Sequence, residues 1–209
     1  APLVLQLESD TGASSSDGIT KNGKVLISGL LSQADWQYSL DNGKNWTSGS
    51  NSSVTLSGDG SKSIIAQQRV NGIWSDASTA LNFQLDTTAP SSLSLDTVAG
   101  DNRISGSERA AGVSLSGKTE SGSAVNVSIG SWSGVATVKN STWSYTLTNS
   151  DYEAIGTGLK TLNVISSDLA GNTSSVSRDI EIPSAPLVLQ LESDTGASSS
   201  DGITKNGKV

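Results

Sequence analysis

The residues able to do chemistry in this 209-residue chain are carboxylates, and they sit in polar, Gly/Ser-rich stretches. Asp10 and Asp17 flank one such stretch, Asp86 opens a Thr-Ala-Pro linker, and Asp168 and Asn172 bracket Leu-Ala-Gly. Asp96, Asp101, Asn102 and Glu108 form a fourth group. The chain has no Cys, His or Met. A Ser-His-Asp triad, a thiol nucleophile, an ordinary zinc or copper site and a disulfide framework are therefore all excluded. Oxygen donors alone suit a hard cation, calcium or magnesium. The pairs Asp10 with Asp17 and Asp96 with Asp101 invite general acid–base chemistry. Neither pair has an aromatic cradle for a substrate nearby, and no enzyme activity is expected. Gly58-Asp59-Gly60 and Gly156-Thr157-Gly158 lack the Walker spacing and its Lys-Ser/Thr, so they read as turns. Asn45, Asn51 and Asn140 open Asn-x-Ser/Thr sequons of the kind that arise by chance in a Ser/Thr-rich chain.

The elements that must position these loops follow from internal repetition. Residues 1–25 recur without one change as residues 185–209, an offset of 184 positions. The chain thus holds one 184-residue unit and the beginning of the next. That unit exceeds solenoid repeats of about 20–50 residues and fits two immunoglobulin-like sandwiches of about 90 residues each. The boundaries fall at residues 1–86, 87–183 and 184–209. Asp86-Thr87-Thr88-Ala89-Pro90 separates LNFQL from SSLSL, and Ile182-Pro183-Ser184-Ala185-Pro186 precedes the repeated LVLQL. Proline stiffens both connectors. With no initiator Met and no signal peptide at Ala1, the chain reads as part of something longer. A net charge of -7 and a pI near 4.5 argue against nucleic-acid binding. No apolar run approaches the roughly 18 residues of a membrane span.

Apolar–polar alternation marks strands buried on one face. The first unit predicts Leu3–Leu7, Lys24–Leu30, Trp36–Leu40, Asn45–Ser48, Ser53–Ser57, Ser63–Val70 and Ala77–Leu85. The second predicts Leu93–Leu95, Val113–Lys118, Ala124–Ile129, Ala136–Val138, Trp143–Leu147, Leu159–Ser167 and Ser174–Ile182. Asp41-Asn42-Gly43-Lys44 signals a hairpin, and Asp151–Ile155 a brief helical turn. Seven short strands per unit predict an all-β chain of tandem immunoglobulin-like β-sandwiches. Trp36 with Tyr38, and Trp143 with Tyr145, alternate as W-x-Y and read as core or half-buried sheet residues. Trp74 and Trp132 lie nearer loops and are the better candidates for exposed contact.

DTTAPSSLSLDTVAGDNRISGSERAAGVSLSG, STWSYTL and SSDLAGNTSSVSRDIEI together resemble the bacterial Ig-like repeats of giant type I-secreted adhesins, Bap-type biofilm proteins among them. SDTGASSSDGITKNGKVLISGL and WQYSLDNGKNWTSGS resemble a sister repeat type. The resemblance covers nearly the whole chain. It implies extracellular, rod-like extender domains on the bacterial surface, holding a distal binding region away from the cell and supporting adhesion and biofilm formation. In some members of that family calcium at the domain junctions stiffens the rod, and the resemblance extends that expectation to this chain.

In a sandwich topology the linker at Asp86 meets the loop joining the last two strands of the second domain. Asp86 and Asp168 then converge, with Asn172 or carbonyls completing a calcium shell, and Asp10 and Asp17 approach from the first domain. In the competing reading Asp86 and Asn172 cap turns and Asp168 is solvated. Asp96, Asp101, Asn102 and Glu108 are expected at the far end, near Glu181, facing the next repeat as a second metal cluster. In the first domain, Val70-Asn71-Gly72-Ile73-Trp74 stands where the family has Asp-x-Ala-Gly-Asn. That departure predicts a bare, hinge-like junction at every second domain. The expected partners are neighbouring repeats of the same chain, with neither nucleic acid nor membrane insertion. Self-association is a further expectation: Leu187–Leu191 is identical to Leu3–Leu7 and can take its slot in another copy. Two other functions compete with the stalk. One is a module binding a glycan or host receptor through Trp74 or Trp132, and the other is a repeat of a self-assembling surface filament.

Overall fold

The structure is a computed structural model that describes residues 2–184 and Lys205. The expected strand exchange by Leu187–Leu191 lies outside the described residues. Period-two alternation produces the strands. In the first half these are β1 (Val4–Leu7), β2 (Ile19–Thr20), β3 (Lys24–Ser28), β4 (Asp35–Ser39), β5 (Thr47–Ser48), β6 (Ser53–Thr55), β7 (Gly60–Val70), β8 (Ile73–Trp74) and β9 (Leu81–Leu85). One sheet runs β1-β3-β6 and the other β2-β9-β7-β4-β5, with β8 on the free end of β7. All neighbours are antiparallel except β2 and β9. Val25 and Ile27 of β3 point inward between outward-facing Lys24 and Ser28. With Ile64, Phe83 and Leu85 of the facing sheet, Val25 closes a core, while Ile27 packs with Leu3, Trp36 and Ala66.

The second half contains a short helix α1 (Gly106–Ala111), strands β10 (Ser114–Lys118), β11 (Ala124–Ile129), β12 (Trp132–Val135), β13 (Thr137–Lys139) and β14 (Thr142–Thr146), helix α2 (Asn149–Ile155), and strands β15 (Gly158–Ser167) and β16 (Thr173–Ile182). Sheets β10-β14-β13 and β12-β11-β15-β16 face each other across Leu115, Trp143, Val125, Val127, Leu162, Val164 and Ile180. The chain is therefore all-β, two immunoglobulin-like sandwiches in tandem. Among the described residues no core cluster draws from both.

Several elements depart from the sequence expectation for identifiable reasons. Leu93–Leu95 runs beside β10 without becoming a strand. The Trp143 indole N–H donates to the Ser94 carbonyl at 3.0 Å, and the Ser94 hydroxyl accepts from the Lys118 N–H at 2.9 Å. Side chains thus replace part of the ladder. Gly117 permits this approach, since a Cβ there would lie 2.0 Å from the Ser94 oxygen. Helix α1 was not expected, and the helical turn at Asp151 extends back to Asn149. Both helices open on reciprocal capping boxes, Ser105 with Glu108 and Thr148 with Asp151. Strand β8 was also not expected; Asn71 and Gly72, at φ 52° and 82°, form a two-residue hairpin turn.

The W-x-Y reading holds: Trp36 and Trp143 are buried, and Tyr38 and Tyr145 half-buried. Trp132 does not lie exposed as expected. It is buried in β12, its indole N–H donating to Asp151 Oδ1 at 2.9 Å and its ring meeting Tyr145 edge-on at 5.3 Å.

Because the cores are separate, truncating one leaves the other intact. Leu162→Ala, at a fully buried site, is expected to cost about 2–5 kcal/mol. In urea it should shift only the unfolding transition of the second sandwich, read by intrinsic fluorescence with Trp36→Phe as the reciprocal control.

Candidate functional site

The site is the junction between the two sandwiches. Three segments build it: the long loop between β1 and β3, the linker from Asp86 to Ser91, and the turn from Asp168 to Asn172. The loop is braced from within. Thr20 Oγ1 donates to the Ser9 carbonyl, the Lys21 N–H to Thr11 Oγ1, and the Gly18 N–H to Asp10 Oδ2 at 2.9 Å. So held, it reaches the second sandwich twice. Thr11 Oγ1 donates to the Ala170 carbonyl and the Lys21 ammonium to the Gly171 carbonyl, each at 2.6 Å. Gly12, at φ 102°, lies directly against this turn: a Cβ there would be 2.0 Å from the Leu169 oxygen.

The turn is self-contained. The Asn172 N–H donates to Asp168 Oδ1 at 2.8 Å, and its side-chain amide to Asp168 Oδ2 at 2.9 Å. The same amide donates to the Asp86 carbonyl at 2.9 Å, fastening the turn to the linker. The linker is bound along its length. The Asp86 N–H donates to the Thr20 carbonyl, and Asp86 Oδ1 accepts from the Thr88 N–H at 3.0 Å. Asp59 accepts from the N–H and hydroxyl of Thr87 and from the Thr88 hydroxyl. Glu120 accepts from the N–H and hydroxyl of Ser91. Hydrogen bonds from Thr88 and Thr87 hold the Asp59 carboxyl below its ordinary value.

The Asn172 amide thus joins the Asp168 carboxylate to the Asp86 backbone carbonyl, while the Asp86 carboxylate turns to the Thr88 N–H. Asp10 stands beside Thr11 at the same junction, and its Oδ1 is buried with no hydrogen-bond partner. Asp17 is exposed, accepts from the Ile19 N–H, and lines a side groove with Leu40 and Lys62 instead. Among the described residues no three acidic side chains gather in one place.

The second expected cluster lies at the far end beside Glu181, whose N–H and carbonyl bond Asn102 and Ile104. Its four members are spent separately. Asp96 accepts from the Ser116 hydroxyl, Asp101 from the Arg103 N–H, Asn102 from the Val98 N–H, and Glu108 closes the α1 capping box. Arg103 pairs with Glu181 at 3.2 Å, and Arg178 reaches the Leu95 carbonyl, so cations already sit at this end.

Asp59, Glu120, Thr11 and Lys21 were not singled out by the sequence reading. Gly58-Asp59-Gly60 registers as a turn, and nothing local in it reveals that its carboxylate clamps Thr87 and Thr88, which follow much later in the chain.

No family model matches the chain, and no curated protein matches it. Several solved structures are similar. The fibronectin(III)-like modules of CbhA from Clostridium thermocellum align with 12% identity and a TM-score of 0.47, over 86% of this chain and 93% of theirs. A Ca2+-stabilized adhesin that helps an Antarctic bacterium reach out and bind ice aligns with 18% identity and a TM-score of 0.40, over 88% of this chain. A tetra-tandem repeat from the extending region of a large adhesion protein aligns with 19% identity and a TM-score of 0.35, over 87%. This chain spans 49% of each of those two adhesin structures. Among the described residues no helix is long and apolar enough to cross a membrane.

Two predictions follow from the junction geometry. Gly12→Ala should force the loop off the Leu169 carbonyl. Amide exchange at Gly171 and Asn172 should then quicken by an order of magnitude or more, while the core amides of both sandwiches stay protected. The Asp59 clamp should depend on pH in one direction. Its native pKa is depressed, so its contribution is complete above the ordinary carboxylate range and is lost as pH falls through the lowered native value. Carboxyl-detected NMR should find Asp59 titrating below 3.8, with the Thr87 amide signal moving in step, and Asp59→Asn should abolish that coupling.

Proposed function

We propose that the chain is an extender unit of a large bacterial cell-surface adhesin. In this reading its sandwiches stack end to end and hold a binding region away from the cell, supporting adhesion and biofilm formation. The observation that carries this reading is the bonded junction. A short linker is tied to both domains, and the turn after β15 is fastened to the loop after β1. Such a joint transmits orientation from one sandwich to the next. The exact recurrence of residues 1–25 supports repetition of the same unit along a longer chain. The motifs quoted above support secretion by a type I system and an extracellular location.

Calcium at this junction is the finer part of the proposal. Its support is the buried, unpaired Oδ1 of Asp10, a group that burial penalises unless a cation or donor meets it. Asp10 would meet the ion first; Asp86, Asp168 and Asn172 would join it only by turning from their present partners Thr88 and one another, since the three carboxylates do not gather in this structure. The ion would supply neutralisation of the local negative charge and a cross-link between the domains.

Two measurements separate the parts. Small-angle scattering of a chain of two complete units should give about twice the maximum dimension of one. A compact, side-by-side particle would remove the extender reading. Saturating calcium should raise the melting temperature by several degrees, since an ion at 100 times its Kd adds about 2.7 kcal/mol to the native state. Asp10→Asn and Asp168→Asn should each abolish that rise. An unchanged melting temperature in the parent chain sinks calcium alone.

A further inference from the structure

The other pole of the first sandwich carries an apolar patch where a bare hinge was expected. Ile73 is 75% exposed, Leu31 53%, Trp74 38% and Val70 37%. These side chains, with Gln68 and Ser75, line a hollow of about 320 Å³. The patch is not a floppy loop. The Asn71-Gly72 turn locks β7 to β8, Arg69 lies 5.3 Å over the Trp74 ring, and the Leu31 N–H donates to Gln68 Oε1. An apolar group this concentrated and this rigidly held marks a contact surface.

Its position names the occupant. Gln68 Nε2 donates to the Gly29 carbonyl, and Gly29 lies against Pro2, so the patch surrounds the point where the chain enters the sandwich. In a tandem chain, a domain joined through Pro2 would sit against it. The repeated sequence makes Ala185-Pro186-Leu187 the equivalent of Ala1-Pro2-Leu3, and Pro183-Ser184 the only spacer after β16. The turn joining the last two strands supplies a second argument. In the second sandwich, Leu169–Asn172 occupies that position and makes the contacts with the domain before it. In the first sandwich the equivalent turn is Asn71-Gly72, carrying Ile73 and Trp74.

We propose that the Val70–Trp74 hairpin docks onto the far pole of a second copy of the 87–183 domain, the one preceding it in a tandem chain. This rests on the tandem reading above. The receiving pole offers one well-exposed apolar side chain, beside the Arg103–Glu181 ion pair. Leu159, 75% exposed, stands opposite Glu181 at the chain exit, and the turn containing Ala99 runs beside it through the Asn102–Glu181 hydrogen bond. The apolar hairpin would then meet Leu159 across the junction between units, whereas the junction within a unit is held by hydrogen bonds.

The test uses a chain of two complete 184-residue units. It has no native cysteine, so spin labels can be placed at Thr137→Cys in the first unit and Thr55→Cys in the second, both exposed positions. The electron–electron distance distribution should be narrow, and unaltered by EDTA. Ile73→Ser with Trp74→Ser in the second unit should broaden it at least two-fold. The same pair of substitutions in the first unit, whose pole faces solvent, should leave it unchanged and serves as the folding control. Equal effects from both placements, or none from either, overturn the docking. An unfolding enthalpy that fails to double from one unit to two overturns the tandem reading, and the docking with it.

Discussion

The orientation of one sandwich on the next depends on a single close approach, the backbone of Gly12 against the Leu169–Gly171 turn. A side chain at Gly12 would occupy the space of the Leu169 carbonyl. Only because that space is free can Thr11 and Lys21 reach the Ala170 and Gly171 carbonyls on either side. Everything else at the junction serves to keep these strands of backbone in register. The Asn172 amide holds the turn to the linker, Asp59 and Glu120 hold the linker to each sandwich, and the Thr20 carbonyl anchors Asp86.

Magnitudes explain why so many small contacts are needed. Among the described residues no hydrophobic core spans the two sandwiches, so a large apolar interface does not fix one domain on the other. Each hydrogen bond across the joint contributes about 0.5–1.5 kcal/mol net. Three of them would not restrain a long, free linker, whose conformational entropy costs about 1–2 kcal/mol per residue fixed. The linker is instead short, restricted by Pro90 and bonded at Asp86, Thr87, Thr88 and Ser91. Its freedom is removed locally, and the interdomain bonds need only choose among the few orientations left.

What could be read from the residues follows the range of the interaction. Strands such as Ala124–Ile129 and Lys24–Ser28 are local statements, written in alternation, and they stand in the structure close to where that alternation places them. The W-x-Y pairs are local too. The meeting of Asp86, Asp168 and Asn172 was legible one step further out, because a sandwich dictates which loops share a pole. Trp132 was misplaced because its burial is decided by Asp151 and Tyr145, which no spacing rule connects to it. The capping boxes and the Asn71-Gly72 turn had sequence signatures that were passed over. Asp59 had none: its partners are Thr87 and Thr88, and only the pairing of β7 with β9 brings them together.

The two poles of the first sandwich present different chemistry. At the pole facing the second sandwich, the contacts are carbonyls met by a hydroxyl, an ammonium and an amide, with carboxylates nearby. Of these partners, Lys21 carries the charge that salt can screen. At the opposite pole, the equivalent position carries Ile73 and Trp74 on a two-residue turn, and no carboxylate belongs to that turn. Apolar contact has little response to salt or chelation and a strong response to area buried. An apolar hairpin in place of an acidic turn therefore changes the surface that the pole presents while leaving the sandwich untouched, since neither Ile73 nor Trp74 enters the core. In a rod of such units stacked as proposed, the two kinds of joint would differ in chemistry, polar within a unit and apolar where the Ile73–Trp74 hairpin docks.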